Sequence, residues 1–114
     1  MLLIRDFDLD QAWVIIKNLS IENIDEDKIR ESRHVIDSFS LRSYNIDRDL
    51  IYDSLINKKP VLIGKTGYNS FKVLYEHPTK KSEDIYIIIS IDERENILII
   101  TTYTNSIKRR IRAP

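Results

Sequence analysis

Apolar residues recur at helical spacing in the first half of the chain and in short strand-like runs in the second half. Between residues 9 and 19 they repeat about every three to four positions, as they do along one face of a helix. Asp8 precedes this stripe and Gln11 stands three residues later, which is the pattern of a capping box. We therefore predict a first helix that begins after Asp8 and buries Trp13 in the core.

Two more helices are predicted between residues 25 and 60. Asp25 and Asp47 each stand in the position of a helix cap with an isoleucine before it and another four residues after it, as in a hydrophobic staple. The first pattern predicts a helix over residues 25–41, with Ile29 on its inner side. The second predicts a helix that begins at Asp47 and ends before Pro60, because the residue before a proline is displaced from the helical region.

The second half of the chain contains four predicted strands. Polar, turn-forming segments separate them, so strands adjacent in sequence are expected to pair as antiparallel hairpins. The third is apolar on both faces, which predicts a central place in the sheet. The strands are Val61–Lys65, Phe71–His77, Asp84–Ile91 and Ile97–Tyr103. The expected fold is α+β: two to three N-terminal helices packed on a four-stranded, mostly antiparallel sheet, in a single domain over residues 1–114.

Composition excludes several classes of protein. With 114 residues, 42% of them hydrophobic and 32% charged, the chain has the make-up of a globular domain. It has no cysteine, two histidines and two glycines, so disulfides, thiol nucleophiles and glycine-rich phosphate loops are not expected. Neither a metal site nor a cofactor is predicted. The longest apolar run, about seven residues, is too short to span a bilayer, and the acidic N-terminus is unlike a secretory signal. We predict a cytoplasmic protein without a membrane partner.

Charge is unevenly distributed although the net charge is zero. Residues 1–60 carry nine Lys/Arg and twelve Asp/Glu, a balance of −3, whereas residues 61–114 carry nine Lys/Arg and six Asp/Glu, a balance of +3. Residues 105–114 form a basic C-terminal tail that includes Lys108 and Arg109. Such a tail can steer an anion such as RNA to this end of the molecule. The alternative is a solubilising tail without a ligand.

Two groups of residues have the chemistry that RNA cleavage without a metal ion requires: a base, a cation for the phosphate and an acid. One group, at the end of the second predicted helix, contains His34 and Arg42. The other, on the predicted sheet, contains Lys72, Tyr75, His77, Thr101 and Tyr103. Each also has a structural interpretation: a surface histidine bonded to a nearby carboxylate, an arginine at a helix end, and hydroxyl residues that sheets favour in any case.

The order of these motifs resembles that of a known family. R33HVIDSFSLRSYNIDRDLIYDSL55 is followed by K72VLYEH77, I85YIIISI91 and I97LIITTY103. This order resembles small toxin-like domains of the RelE/ParE type, in the superfamily that also holds barnase-like and colicin-type ribonucleases. A helix with histidine followed eight residues later by arginine, and a last strand that ends in Thr-x-Tyr, are shared features. The resemblance covers roughly residues 30–104.

The resemblance implies a toxin-like, metal-independent endoribonuclease that acts on RNA and is inhibited by a protein antitoxin. The residues expected to take part are His34, Arg42, Lys72 and Tyr103 in catalysis, and Thr101, Lys108 and Arg109 in substrate binding. A ribonuclease of this kind requires His34, Arg42 and Tyr103 to converge within about 10 Å, the reach of one nucleotide. The alternative is a non-catalytic binding module, such as an antitoxin, immunity protein or regulatory partner, which the neutral net charge favours.

Overall fold

A computed structural model describes residues 6–19, 28–40 and 47–111. Within these ranges the fold is α+β, with three helices, a five-stranded mixed sheet and a short 3₁₀ helix. In chain order the elements are α1 (Leu9–Lys17), β1 (Ile29–Glu31), α2 (Arg33–Ser40), α3 (Arg48–Asn57), β2 (Leu62–Gly67), β3 (Ser70–Glu76), β4 (Glu83–Ile91), β5 (Ile97–Ser106) and the 3₁₀ helix (Ile107–Ile111).

Strands β2 to β5 form the antiparallel meander that the sequence predicts. The strand order is β1-β5-β4-β3-β2, and each of the pairs β2–β3, β3–β4 and β4–β5 is antiparallel. β4 is the middle strand of the five, as its apolar character on both faces indicated. The α+β class and the central position of β4 are therefore confirmed.

The start of the second helix was predicted incorrectly. Ile29–Glu31 is a strand that pairs in parallel with β5, opposite Ile97–Ile99, and it makes the sheet five-stranded and mixed. The cap of α2 is Ser32, whose hydroxyl accepts a hydrogen bond from the Val35 N–H at 3.1 Å. Ser32 also donates from its own N–H to the Ile99 carbonyl at 2.9 Å. Bonds to a strand almost seventy residues away explain why local patterns did not reveal β1. Asp25, the predicted cap, lies outside the described residues.

The caps of α1 and α3 are those predicted. In α1 the Gln11 N–H donates to the Asp8 carboxylate at 2.8 Å, and the Gln11 side chain accepts from the Asp8 N–H at 2.9 Å, which completes a capping box. In α3 the Leu50 N–H donates to the Asp47 carboxylate at 2.8 Å. Each bond satisfies a helix N–H that has no partner within the helix.

All three helices pack on one face of the sheet and form a single core with it. The odd-numbered residues of β4, from Ile85 to Ile91, point to this face and are fully or almost fully buried. The helices contribute Ala12, Ile15, Ile16, Val35, Ile51 and Leu55 to the same core. Because successive strand residues alternate between faces, the even-numbered residues of β4 point away from the helices.

Trp13 is only partly buried, contrary to its predicted place in the core. Successive residues in a helix point about 100° apart. With Ala12 and Ile16 directed into the core, Trp13 lies at the margin of α1, in a cleft beside Leu55 and Pro60.

A three-residue cluster ties β1 to α3. Arg48 donates to both oxygens of Glu31, at 2.9 and 2.8 Å, and the Tyr52 hydroxyl donates to the same carboxylate at 2.7 Å. Burial alone would raise the pKa of Glu31, but the bonds from Arg48 and Tyr52 outweigh it and hold that pKa below its ordinary value. Burial and the bond to Glu31 raise the pKa of the Tyr52 hydroxyl, which stays protonated and continues to donate.

Ile87 and Ile88 provide a test of the one-sided core. Ile87 is fully buried against the helices, whereas its neighbour Ile88 is half-buried on the other side of the sheet. We expect Ile87→Ala to lower the free energy of unfolding by about 2–5 kcal/mol, since it leaves a cavity in the core. The matched control Ile88→Ala should cost clearly less in the same urea titration. Equal losses would mean that both faces of the sheet are covered.

The lowered pKa of Glu31 predicts a loss of stability in acid. A carboxylate whose folded-state pKa lies below the ordinary value of 4.5 stabilises the fold above that pH, and the contribution is lost as the pH falls through the folded-state pKa. We expect Glu31→Gln to cost about 1–2 kcal/mol at neutral pH, and this difference from wild type to shrink towards pH ~3. Urea unfolding across pH measures it, with Glu93→Gln in an exposed turn as control. A difference independent of pH would contradict the assignment.

Candidate functional site

The face of the sheet opposite the helices carries three of the six catalytic or substrate-binding candidates that the structure describes, Lys72, Thr101 and Tyr103. Its side chains come from alternate positions of the three central strands, and none of the described helices of the helix layer packs on it. We call this surface the open face. Its members are Lys72, Leu74 and Glu76 from β3, Asp84, Tyr86 and Ile88 from β4, and Thr101, Tyr103 and Asn105 from β5.

Strand register places the candidate residues in two adjacent rows of the open face. Lys72 pairs with Ile88, and Ile88 pairs with Thr101. In the next row Tyr86 lies between Leu74 and Tyr103. Paired residues on one face of a sheet have their Cβ atoms about 4.5–5.5 Å apart. Lys72, Thr101 and Tyr103, which the sequence predicts to lie on the same sheet, are thus neighbours on one surface of it.

A bulge in β5 determines which residues reach the open face. Ile99 pairs with Ile89 but Thr101 pairs with Ile88, so Ile100 is an extra residue on β5 at this point. Without it, all odd-numbered residues of β5 would point to the helices, as Ile97 and Ile99 do. The extra residue reverses the alternation and turns Thr101 and Tyr103 to the other side.

Two tyrosines and a lysine form the centre of the open face. The rings of Tyr86 and Tyr103 stack with their centroids 4.8 Å apart and their planes at 22°. Tyr86 is buried, whereas Tyr103 is 38% exposed. The Lys72 ammonium lies 5.9 Å from the centre of the Tyr86 ring, within the range of a cation–π interaction. Partial burial and the neighbouring Tyr86 raise the pKa of Tyr103 above its ordinary value. Its hydroxyl, like that of any tyrosine at neutral pH, is protonated and can donate a hydrogen bond.

An ion pair closes one end of the open face. Asp84 is fully buried, and Arg110 of the 3₁₀ helix binds both of its oxygens, with Nε donating at 2.8 Å and Nη2 donating to the other oxygen. This pair fixes the 3₁₀ helix against the end of the sheet. Residues 105–114 were predicted to be a basic tail, but Asn105 and Ser106 belong to β5 and Ile107–Ile111 is helical. Lys108 and Arg109 are exposed on that helix.

His34 lies at the β5 edge of the molecule, not on the open face. It belongs to the first turn of α2, two residues after Ser32, whose hydroxyl donates to the Ile100 carbonyl at 2.7 Å. The start of α2 is therefore fixed beside the β5 bulge and next to Thr101. The His34 side chain is exposed, and within the described residues it has no hydrogen bond or ion pair. Arg42 lies outside the described residues.

The two acidic residues near His34 in the sequence, Glu31 and Asp37, are each paired with another residue. Glu31 binds Arg48 and Tyr52, and Asp37 lies 3.7 Å from Arg33 in an exposed ion pair. The imidazole of His34 is thus accessible to a ligand that approaches the β5 edge.

Tyr75 and His77, the remaining candidates on the predicted sheet, are both buried. Tyr75 belongs to the core on the helix side of the sheet. His77 lies just after β3, in the β3–β4 connection, where its Nδ1 accepts from the N–H groups of Thr79 and Lys80 at 3.2 and 3.1 Å. It shapes the β3–β4 connection. Tyr86 was not selected as a site residue, because it lies within an apolar run; its alternation with Ile85 and Ile87 was the available signal that it faces away from the core.

No match was found for the chain among protein families, curated proteins or solved structures. Within residues 6–19, 28–40 and 47–111, no group of three or more His, Asp or Glu side chains is arranged to hold a metal ion. No helix in the described part of the chain is long and apolar enough to cross a membrane.

The buried Asp84 makes the ion pair at the end of the open face testable. Arg110→Met leaves the Asp84 carboxylate without its charged partner, and we expect it to lower the free energy of unfolding by about 1–3 kcal/mol. Arg109→Met, at the exposed neighbouring position, should change it by less than about 0.5 kcal/mol. Addition of Asp84→Asn to Arg110→Met should recover part of the loss, because the uncompensated charge is removed. Equal effects of Arg110→Met and Arg109→Met in urea unfolding would contradict the role of the pair.

Proposed function

We propose that this protein binds single-stranded RNA across the open face and cleaves it as a metal-independent endoribonuclease. The observation that supports the proposal is the contiguous placement of Lys72, Tyr86, Thr101 and Tyr103 on the side of the sheet opposite α1, α2 and α3. The exposed ring of Tyr103, which stacks on the buried Tyr86, can stack with a base, and the nearby Lys72 can attract a phosphate. An exposed aromatic ring and a cation are the usual elements of a single-strand binding surface. The resemblance to RelE/ParE-type toxins points to the same substrate class.

The proposed reaction is attack of a ribose 2′-hydroxyl on the adjacent phosphorus. The new bond joins the 2′-oxygen to phosphorus, and the bond from phosphorus to the 5′-oxygen breaks. The products are a 2′,3′-cyclic phosphate and a 5′-hydroxyl, so atoms balance without water or a cofactor. His34, at the β5 edge, accepts the 2′-hydroxyl proton.

The open face supplies the charge stabilisation that this reaction requires. The Lys72 ammonium faces the negative charge that develops on the phosphate oxygens. Tyr103, held in its protonated form, donates to the same group or to the leaving 5′-oxygen. Thr101 is placed between Lys72 and the start of α2 to orient the ribose. Lys108 and Arg109, exposed beyond the end of β5, attract the flanking phosphates.

A protein partner is a second candidate for the same surface. Leu98, which also points away from the helices, is 37% exposed, and Tyr103 is 38% exposed. Exposed apolar side chains at the rim of a polar face suit a protein interface. An antitoxin that covers the open face would block RNA, whereas a non-catalytic binding module would use the same face without cleavage.

Binding and cleavage of a labelled RNA oligonucleotide in the presence of EDTA test the proposal. We expect cleavage by the wild-type protein and products that end in a 2′,3′-cyclic phosphate. Tyr103→Phe removes one donor and should lower the cleavage rate about 100-fold. His34→Ala should abolish cleavage and leave RNA binding unchanged, because its side chain is exposed and outside the stacking surface. Lys72→Ala should weaken binding.

The control is Arg94→Ala, which removes a cation from the exposed β4–β5 connection, at the end of the sheet away from the Asp84–Arg110 pair. This variant should leave both RNA binding and RNA cleavage unchanged. RNA binding without cleavage would support an RNA-binding module. If the wild-type protein is folded by circular dichroism but neither binds nor cleaves RNA, RNA is rejected as the substrate and a protein partner is favoured.

A further inference from the structure

A row of unpaired lysines lines a groove at the end of the helix layer. Two adjoining cavities, of about 490 and 530 Å³, share the lining residues Lys58, Lys59 and Pro60. The first lies between α1 and the end of α3 and is also lined by Trp13 and Lys17. The second reaches the β3–β4 connection. We call this surface the lysine groove; its defining residues are Trp13, Lys17, Lys58, Lys59 and Lys81.

The four lysines of the groove are available to a ligand. Lys17, Lys58, Lys59 and Lys81 are all exposed, and none of them forms an ion pair with another residue in the described parts of the chain. Pro60 prevents α3 from continuing, so the chain turns here and presents Lys58 and Lys59 at the rim. A single acid, Glu76, lines the second cavity. Such an excess of unpaired positive charge favours a polyanion.

Trp13 adds an aromatic surface to this positive charge. It is the only tryptophan in the chain, and it is partly buried in the first cavity, one helical turn from Lys17. Aromatic rings beside a cationic groove bind single-stranded nucleic acids, because bases stack on the rings while the cations follow the phosphates. Double-stranded nucleic acid has no unstacked base to offer to this ring.

The lysine groove leads to the open face. A third cavity, of about 350 Å³, shares Glu76, His77 and Lys81 with the groove. On its other side it is lined by Asp84 and Arg110, the ion pair at the end of the open face. The three adjoining cavities therefore lead from the Asp84–Arg110 end of the open face to Trp13. Glu76 and Glu83 also line the third cavity, so the lysines of the groove supply the positive charge along this route.

We propose that single-stranded RNA bound on the open face continues around the end of the sheet into the lysine groove. In this arrangement its phosphates contact Lys58, Lys59 and Lys81, and one base stacks on Trp13. The inference rests on the proposed function, because it extends the path of the same RNA. It also assigns a role to the partial exposure of Trp13, which the core does not require.

Intrinsic fluorescence reports directly on the groove, because the only tryptophan lies in it. Titration with an oligouridylate of about 12 nucleotides should quench Trp13 fluorescence in the wild-type protein. Oligouridylate is chosen because it forms little secondary structure. Binding detected by anisotropy of a labelled oligonucleotide, without any change in Trp13 fluorescence, would overturn the proposal.

The double variant Lys58→Ala/Lys59→Ala tests the phosphate contacts. Removal of two contacts should lower the salt dependence, the slope of log K against log salt concentration, by about 1.4, and weaken binding roughly tenfold near 0.15 M salt. The matched control is Arg33→Ala/Arg94→Ala, which removes two exposed positive charges outside the groove; the 3.7 Å pair of Arg33 with Asp37 contributes little stability. The control should retain wild-type affinity and slope.

The two proposals fail in different ways. Wild-type affinity and slope in Lys58→Ala/Lys59→Ala, together with weakened binding in Lys72→Ala, would overturn the groove path and leave the open face as the RNA site. Equal weakening by the groove variant and its control would show a general charge effect and also overturn the path. Absence of RNA binding by the wild-type protein would overturn both proposals.

Discussion

Burial of the alternate isoleucines of β4 against the helices is the interaction on which the rest of the structure depends. Ile85, Ile87 and Ile89 are fully buried, and residues from all three helices pack into the same core. Because apolar burial supplies most of the favourable free energy of folding, the helices must lie on this face. The opposite face is then free to carry polar and aromatic side chains at little cost to the fold.

The two faces of the sheet separate the core from the proposed site. Residues that face the helices build the core, whereas those between them in sequence, such as Lys72, Tyr86 and Tyr103, form the proposed site. The β5 bulge links the two sets. By the insertion of Ile100, one strand contributes Ile97 and Ile99 to the core and then Thr101 and Tyr103 to the open face. The proposed site therefore lies on the three central strands of the sheet.

Local features were predicted well from the sequence. The side chains of Asp8 and Asp47 each accept a hydrogen bond from an N–H group three residues later. Groups so near in sequence are close in space in any compact state, so local sequence is enough to predict these caps. The four antiparallel strands were also predicted, because alternation and polar turns are local patterns. Residue type alone made candidates of Lys72, Thr101 and Tyr103. They lie together because the polar turns set the register of the hairpins.

Features that depend on distant contacts were not predicted. The strand at Ile29 is defined by bonds to β5, and its three residues are too few to show alternation. The Asp84–Arg110 pair joins residues 26 positions apart, so the local sequence predicts only a basic tail at Arg110. The bulge at Ile100 has no marker such as glycine. Tyr86 lies within an apolar run, so the sequence did not indicate which face of the sheet its side chain is on. The orientation of Trp13 depends on how α1 packs against the rest of the core.

The parallel pairing of β1 with β5 has a consequence for the order of folding. Ile29 and Ile97 are 68 residues apart, whereas the strands of the meander pair through short connections. Closure of a loop of this length costs roughly 2 kcal/mol more entropy than closure of a short hairpin, so we expect this pairing to form after the meander. Until β1 is added, Ile97–Ile99 of β5 present free N–H and C=O groups that can pair with another chain. On the ribosome β1 is synthesised long before β5. The two strands can therefore pair only after β5 has left the exit tunnel.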